Sequence, residues 1–114
     1  MATFTQLAQI LHDSAKEFLN EAKTIKQNVC KAYGDYVQKL NPEDDDSTIG
    51  VDQFIFINDL VKELNNDFSD MQNPVKITTI NQYCVLVNQY NKIASNYSLI
   101  CDSYKKLSDL KIIK

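Results

Sequence analysis

The chain has 114 residues, 44% of them apolar and 24% charged, with a net charge of −3 and only two glycines and two prolines. That length buries a modest core without disulfides or a structural metal, and the scarcity of glycine and proline argues against a strand-and-turn architecture. All twelve basic residues are lysine; without arginine's planar fork the chain is a poor candidate for a nucleic-acid reader, and its scattered acids are too few for a DNA mimic.

The first ten residues lack the basic region of a secretory signal, and no apolar run approaches membrane-spanning length. The expectation is therefore a single helical domain over residues 1–114, cytoplasmic, with no membrane partner.

Thr3 with Gln6 forms a capping-box pattern, so the first helix is predicted over 3–40. Its apolar positions form two columns, Ala8, Ala15, Ala22 and Val29 beside Phe4, Leu11, Phe18 and Ile25. A column of alanines lets a second helix approach closely or accepts large side chains from it. Gly34 falls near the predicted end, as a left-handed terminus or as an interior glycine. Asn41-Pro42 is the stop signal.

The run from Glu43 to Ser47 reads as a solvated loop. Its Asp44, Asp45 and Asp46 lack the spaced oxygens and bidentate glutamate of a calcium loop, so no metal is expected. A second helix is predicted over 51–71, with Phe54, Ile57, Val61, Leu64, Phe68 and Met71 alternating by three and four. Ile55, Phe56 and Leu60 widen its apolar face near the start, which calls for two partners there.

The third helix is predicted over 75–112. It starts at Asn73-Pro74 or at a second capping box, Thr79 with Gln82. It carries the strongest pattern in the chain. Tyr83, Tyr90, Tyr97 and Tyr104 recur every seven residues; Leu86, Ile93, Ile100 and Leu107 follow three later; Val87, Ala94, Cys101 and Ser108 follow one further on. Four heptads of this kind predict one broad apolar stripe with coiled-coil-like packing. Tyrosines set against the alanine column of the first helix match in volume, and their buried hydroxyls need partners from Asn, Gln or Ser. The fold class is all-α, a three-helix bundle in the order long, short, long.

At 1.5 Å per residue the predicted helices are about 55, 30 and 50–60 Å long. Up-down-up packing would shift the third helix by roughly 25 Å past the first and leave Tyr97, Ile100, Cys101, Tyr104 and Leu107 uncovered. An exposed stripe of that size is unusual for a monomer. Either the long helices pair antiparallel, or these five residues form a self-association interface, most simply in a two-fold dimer. Phe54 and Ile57, with Asn88, Asn91 and Ser95 on the charge-poor flank of the third helix, form the candidate partner-binding surface.

Other chemistries find little support. The lone His12, read as an outer-face residue, cannot build a multi-histidine zinc site from one chain. Cys30, Cys84 and Cys101 have no Cys-x-x-Cys spacing, and Cys84 lies about 25 Å along the helix from Cys101, too far to bridge. Two isolated glycines make no phosphate loop. No catalytic, cofactor-binding or metal residues are assigned. The expected function is non-enzymatic: a helical protein-interaction protein, an adaptor, chaperone or assembly factor, that self-associates and binds a protein. The alternative is a small stoichiometric inhibitor or immunity protein, encoded by a phage, virus or mobile element.

Overall fold

A computed structural model describes residues 3–39, 43 and 45–113, with the backbone alone for 45–49. Three helices, α1 (Phe4–Gln38), α2 (Asp45–Ser69) and α3 (Ile80–Asp109), pack into a rod with principal extents of 59 × 20 × 19 Å. The described residues contain no strands. The all-α three-helix bundle expected from the periodicity is what forms.

Both capping boxes are made. The Gln6 N–H donates to Thr3 Oγ1 at 3.1 Å while the Thr3 N–H donates to Gln6 Oε1 at 2.9 Å. The same reciprocal pair joins Thr79 and Gln82. Each satisfies two of the backbone donors that a helix start leaves unpaired. Thr79 therefore fixes the start of α3. Asn73-Pro74 instead opens a separate 3-10 turn, Pro74–Lys76, with Asn73 Oδ1 accepting from the Val75 N–H.

Two helix starts differ from expectation, and the first is that of α3, at Ile80 rather than 75. Helix α2 begins at Asp45, six residues before the predicted start at 51 and inside the acidic run read as a loop. Acidic residues are favoured in the first turn of a helix, and the sequence carries Asp45 and Asp46 there. The stop signal at Asn41-Pro42 and the side chains of Asp44 to Asp46 lie outside the described residues. Gly34 is an interior residue of α1.

The ring contacts give the helix directions. Phe4 meets Tyr83, and Phe18 meets Tyr90 and Tyr97, so α1 and α3 are parallel. Tyr33 and Tyr36 meet Phe54 while His12 meets Phe68, so α2 is antiparallel to both.

The expected overhang of α3 does not occur. Its premise was that α3 starts where the short helix α2 ends. In fact residues 70–79 carry the chain onward beside the first turns of α1, where Thr5 Oγ1 donates to the Ile77 carbonyl at 3.0 Å. Extended chain advances about twice as far per residue as helix, so this connector makes up the difference in length, and α3 starts level with α1. Ile77 is fully buried and fills the core where α2 is absent. Ile100 and Leu107 are consequently covered within the chain.

The inner column of α3, Leu86, Ile93, Ile100 and Leu107, is completely buried, as are Ala8, Ala15 and Ala22 of α1. The tyrosine column is half-buried at the edge of this core, where Tyr83 meets Phe4 and Tyr90 and Tyr97 meet Phe18.

Candidate functional site

Four surface features follow from this arrangement, beginning with the α1–α3 seam. The Tyr90 hydroxyl lies 3.1 Å from Ser14 Oγ, and the Tyr97 hydroxyl donates to the Glu21 carboxylate. Both pairs have the same sequence separation, 76, so the two helices keep register across a heptad. A serine serves one tyrosine, as expected; the other takes a carboxylate. The hydrogen bond to Glu21, with burial behind it, pushes the Tyr97 phenol well above its ordinary pKa.

Of the five residues expected at a self-association interface, Ile100 and Leu107 are core and Tyr97, Tyr104 and Cys101 are half-buried. They do not form an uncovered stripe, because the connector aligns α3 with α1. Of the expected partner surface, Phe54 and Ile57 are also buried, since α2 turns them onto the core between α1 and α3.

Phe54 and Ile57 nonetheless underlie a second feature, as its buried floor. A groove of about 300 Å³ runs between α1 and α2, walled by Val29, Cys30 and Tyr33 on one side and Ile55 and Asn58 on the other. Lys26 is its one charged lining residue among those described. Exposed Tyr33 and Ile55 stand on its rim, with exposed Val37 one turn beyond Tyr33. The widened apolar face of α2 signalled Ile55 in the sequence; nothing there marked Tyr33 and Val37 as exposed.

Asn88, Asn91 and Ser95 do come together, in a shallow polar groove between α2 and α3 shared with Glu63, Asp67 and Lys92. Asn96 Nδ2 donates to Asp67 Oδ2 at 3.5 Å. Burial, reinforced by the Glu63 and Asp70 charges and opposed by Lys92, raises the Asp67 carboxyl above the usual range. Further along the same side, exposed Phe56 and Leu99 flank the buried Ser103.

The fourth feature is a cleft of about 630 Å³ at the end of the bundle where α1 and α3 both finish. Lys31 of α1, Lys39 at its C-cap and Lys111 beyond α3 line it, with Tyr104 and Ile112.

His12 is half-buried, its ring centroid 5.0 Å from that of Phe68. This corrects its reading as an outer-face residue: the antiparallel path of α2 lays Phe68 against it. Cys30, Cys84 and Cys101 are free thiols. Among the described residues, no three His, Cys, Asp or Glu side chains are grouped to hold a metal ion. No helix of the described residues is long and apolar enough to cross a membrane.

Comparison with protein-family models, with curated protein sequences and with solved structures gives no match to this chain.

Proposed function

We propose that this chain is a non-enzymatic helical protein that works by protein association, and that its first partner is a second copy of itself. The observation that carries the reading is the α1–α2 groove. Tyr33, Val37 and Ile55 hold exposed apolar side chains along one edge of the molecule, over a floor of Phe54 and Ile57. Contiguous exposed apolar surface of this kind marks association sites in proteins that otherwise bury it. A groove lined by one lysine and otherwise by uncharged residues suits an apolar element rather than a charged one.

A two-fold dimer is the simplest closed assembly for such a face, because the same patch then covers itself. The rim residue Ile55 of one copy would enter the groove of the other. This replaces the Tyr97 to Leu107 interface expected from the sequence with one on the opposite side of α1.

Light scattering on the purified chain, with an Ile55→Asp variant beside it, tests the reading. The wild type should be dimeric at tens of micromolar, and the variant monomeric with unchanged helical content, since Ile55 is exposed in the monomer; only the wild-type melting temperature should depend on concentration. A strictly monomeric wild type rejects self-association through this groove.

A further inference from the structure

We propose that the cleft at the C-terminal end of α1 and α3 is a binding site for a small amphipathic anion, a carboxylate or phosphate head on a single apolar tail. Its volume of about 630 Å³ falls within the range of small-molecule sites, about 300–1,000 Å³. Ala32, Leu110 and Ile112 give it an apolar lining, with Tyr104 at the side. Lys31, Lys39 and Lys111 line it, with Asp35 as the one acid among the described lining residues. In a chain with a net charge of −3, the described lining of this cleft carries two more lysines than acids.

Lysines near helix ends often serve only to balance the helix dipole, an effect confined to the last turn. Lys31 lies two turns before the end of α1, outside that reach. Lys31, Asp35 and Lys39 recur at four-residue spacing, so they share one helix face.

Lys111 supplies an independent observation. Helix α3 closes with a Schellman motif: the Ile112 N–H donates to the Leu107 carbonyl and the Lys111 N–H to the Ser108 carbonyl, both at 3.0 Å. That motif puts the residue after the cap in the left-handed region, where glycine is usual. Lys111 has φ 60, and it is the one non-glycine residue with positive φ among those described. A lysine therefore occupies a left-handed position that disfavours side chains, and it lines the cleft.

The test titrates the full ¹⁵N-labelled chain with decanoate, with decanol (the same tail without charge) and with inorganic phosphate (charge without a tail). Decanoate should shift the amide signals of Ala32, Tyr104 and Ile112, while decanol and phosphate leave them in place. Lys111→Gly separates binding from structure. Relief of the left-handed strain should raise the melting temperature by a few degrees. Loss of the cation should weaken decanoate by about threefold or more, the scale of a partly exposed ion pair. Absence of decanoate shifts overturns the proposal. Decanol binding as tightly as decanoate, phosphate moving the same signals, or unchanged affinity in Lys111→Gly overturns it equally.

Discussion

Helix α3 has two seams, and they are built from different materials. Towards α1 it presents tyrosines that meet phenylalanine rings over a floor of fully buried alanines, and two hydroxyls find partners in Ser14 and Glu21. Towards α2 it presents a polar column at the same heptad spacing, Gln89, Asn96 and Ser103. Ser103 is buried, the Gln89 side-chain oxygen is buried without a hydrogen-bond partner, and Asn96 reaches Asp67 at 3.5 Å. The α1 seam converts its polar atoms into paired ones; the α2 seam leaves polar atoms underused where burial makes that costly. The difference teaches that a heptad can specify register on one side of a helix while its neighbouring column stays tolerant of mismatch. It also predicts that changes on the two sides move stability in opposite directions.

The largest effect is expected where both seams share a core residue. Ile100 is completely buried, so Ile100→Ala should cost about 2–5 kcal/mol in denaturant unfolding, combining lost transfer energy with a cavity. A loss below about 1 kcal/mol would mean that the inner column is not the centre of the bundle.

Next comes the alanine column. Ala15 is completely buried, and Ala15→Leu should destabilise by about 1–3 kcal/mol through overpacking, although leucine is an excellent helix former. An unchanged or raised stability would show slack between α1 and α3.

These two columns were readable from the sequence because they depend only on periodicity and side-chain volume, which a helix projects directly onto a face. The capping boxes were readable for a similar reason: Thr3 with Gln6 and Thr79 with Gln82 are local chemistry. The connector was not. Val75 to Ile80 contains a β-branched run that fits a helix start or a non-helical connector, and the structure makes it a 3-10 turn followed by extended residues, with Ile77 in the core. That ambiguity lies behind the expected overhang and the expected uncovered stripe from Tyr97 to Leu107, whose Ile100 and Leu107 are buried within the chain. The burial of Phe54 and Ile57 has a different origin. Their spacing marks them as apolar, but a face two partners wide does not say which of its residues stay outside; Ile55 and Phe56 do. The left-handed Lys111 left no signal, since a glycine or asparagine would have been needed to announce it.

The hydroxyl pairing of the α1 seam gives a smaller effect with a pH signature. Tyr97→Phe should lose about 1 kcal/mol at neutral pH, the net value of one hydrogen bond. The Glu21 contact raises the Tyr97 phenol above its unfolded value near 10. A group raised in this way contributes stability that is present below about pH 10 and lost as pH rises through the folded value. The difference between wild type and Tyr97→Phe should therefore stay constant to about pH 9 and shrink above pH 10. A difference that persists undiminished well above that point rejects the Glu21 contact as its source.

The smallest effect belongs to the α2 seam, and its sign is reversed. Burial holds the Asp67 carboxyl above its ordinary 3.8, with Glu63 and Asp70 adding to the shift against Lys92. The stability linked to that proton is fully present below the unfolded value and is lost as pH rises through the folded one. At neutral pH the ionised Asp67 is therefore a burden on the fold. Asp67→Asn keeps an acceptor for Asn96 and removes the charge. It should stabilise the protein at pH 7 by roughly a few tenths of a kcal/mol, the scale of partly exposed charges. The gain should vanish by about pH 3, where wild-type Asp67 is itself protonated. Thermal melts of both proteins at the two pH values decide the matter. Destabilisation at neutral pH would mean that the Lys92 attraction outweighs burial and that the α2 seam, like the α1 seam, is electrostatically satisfied.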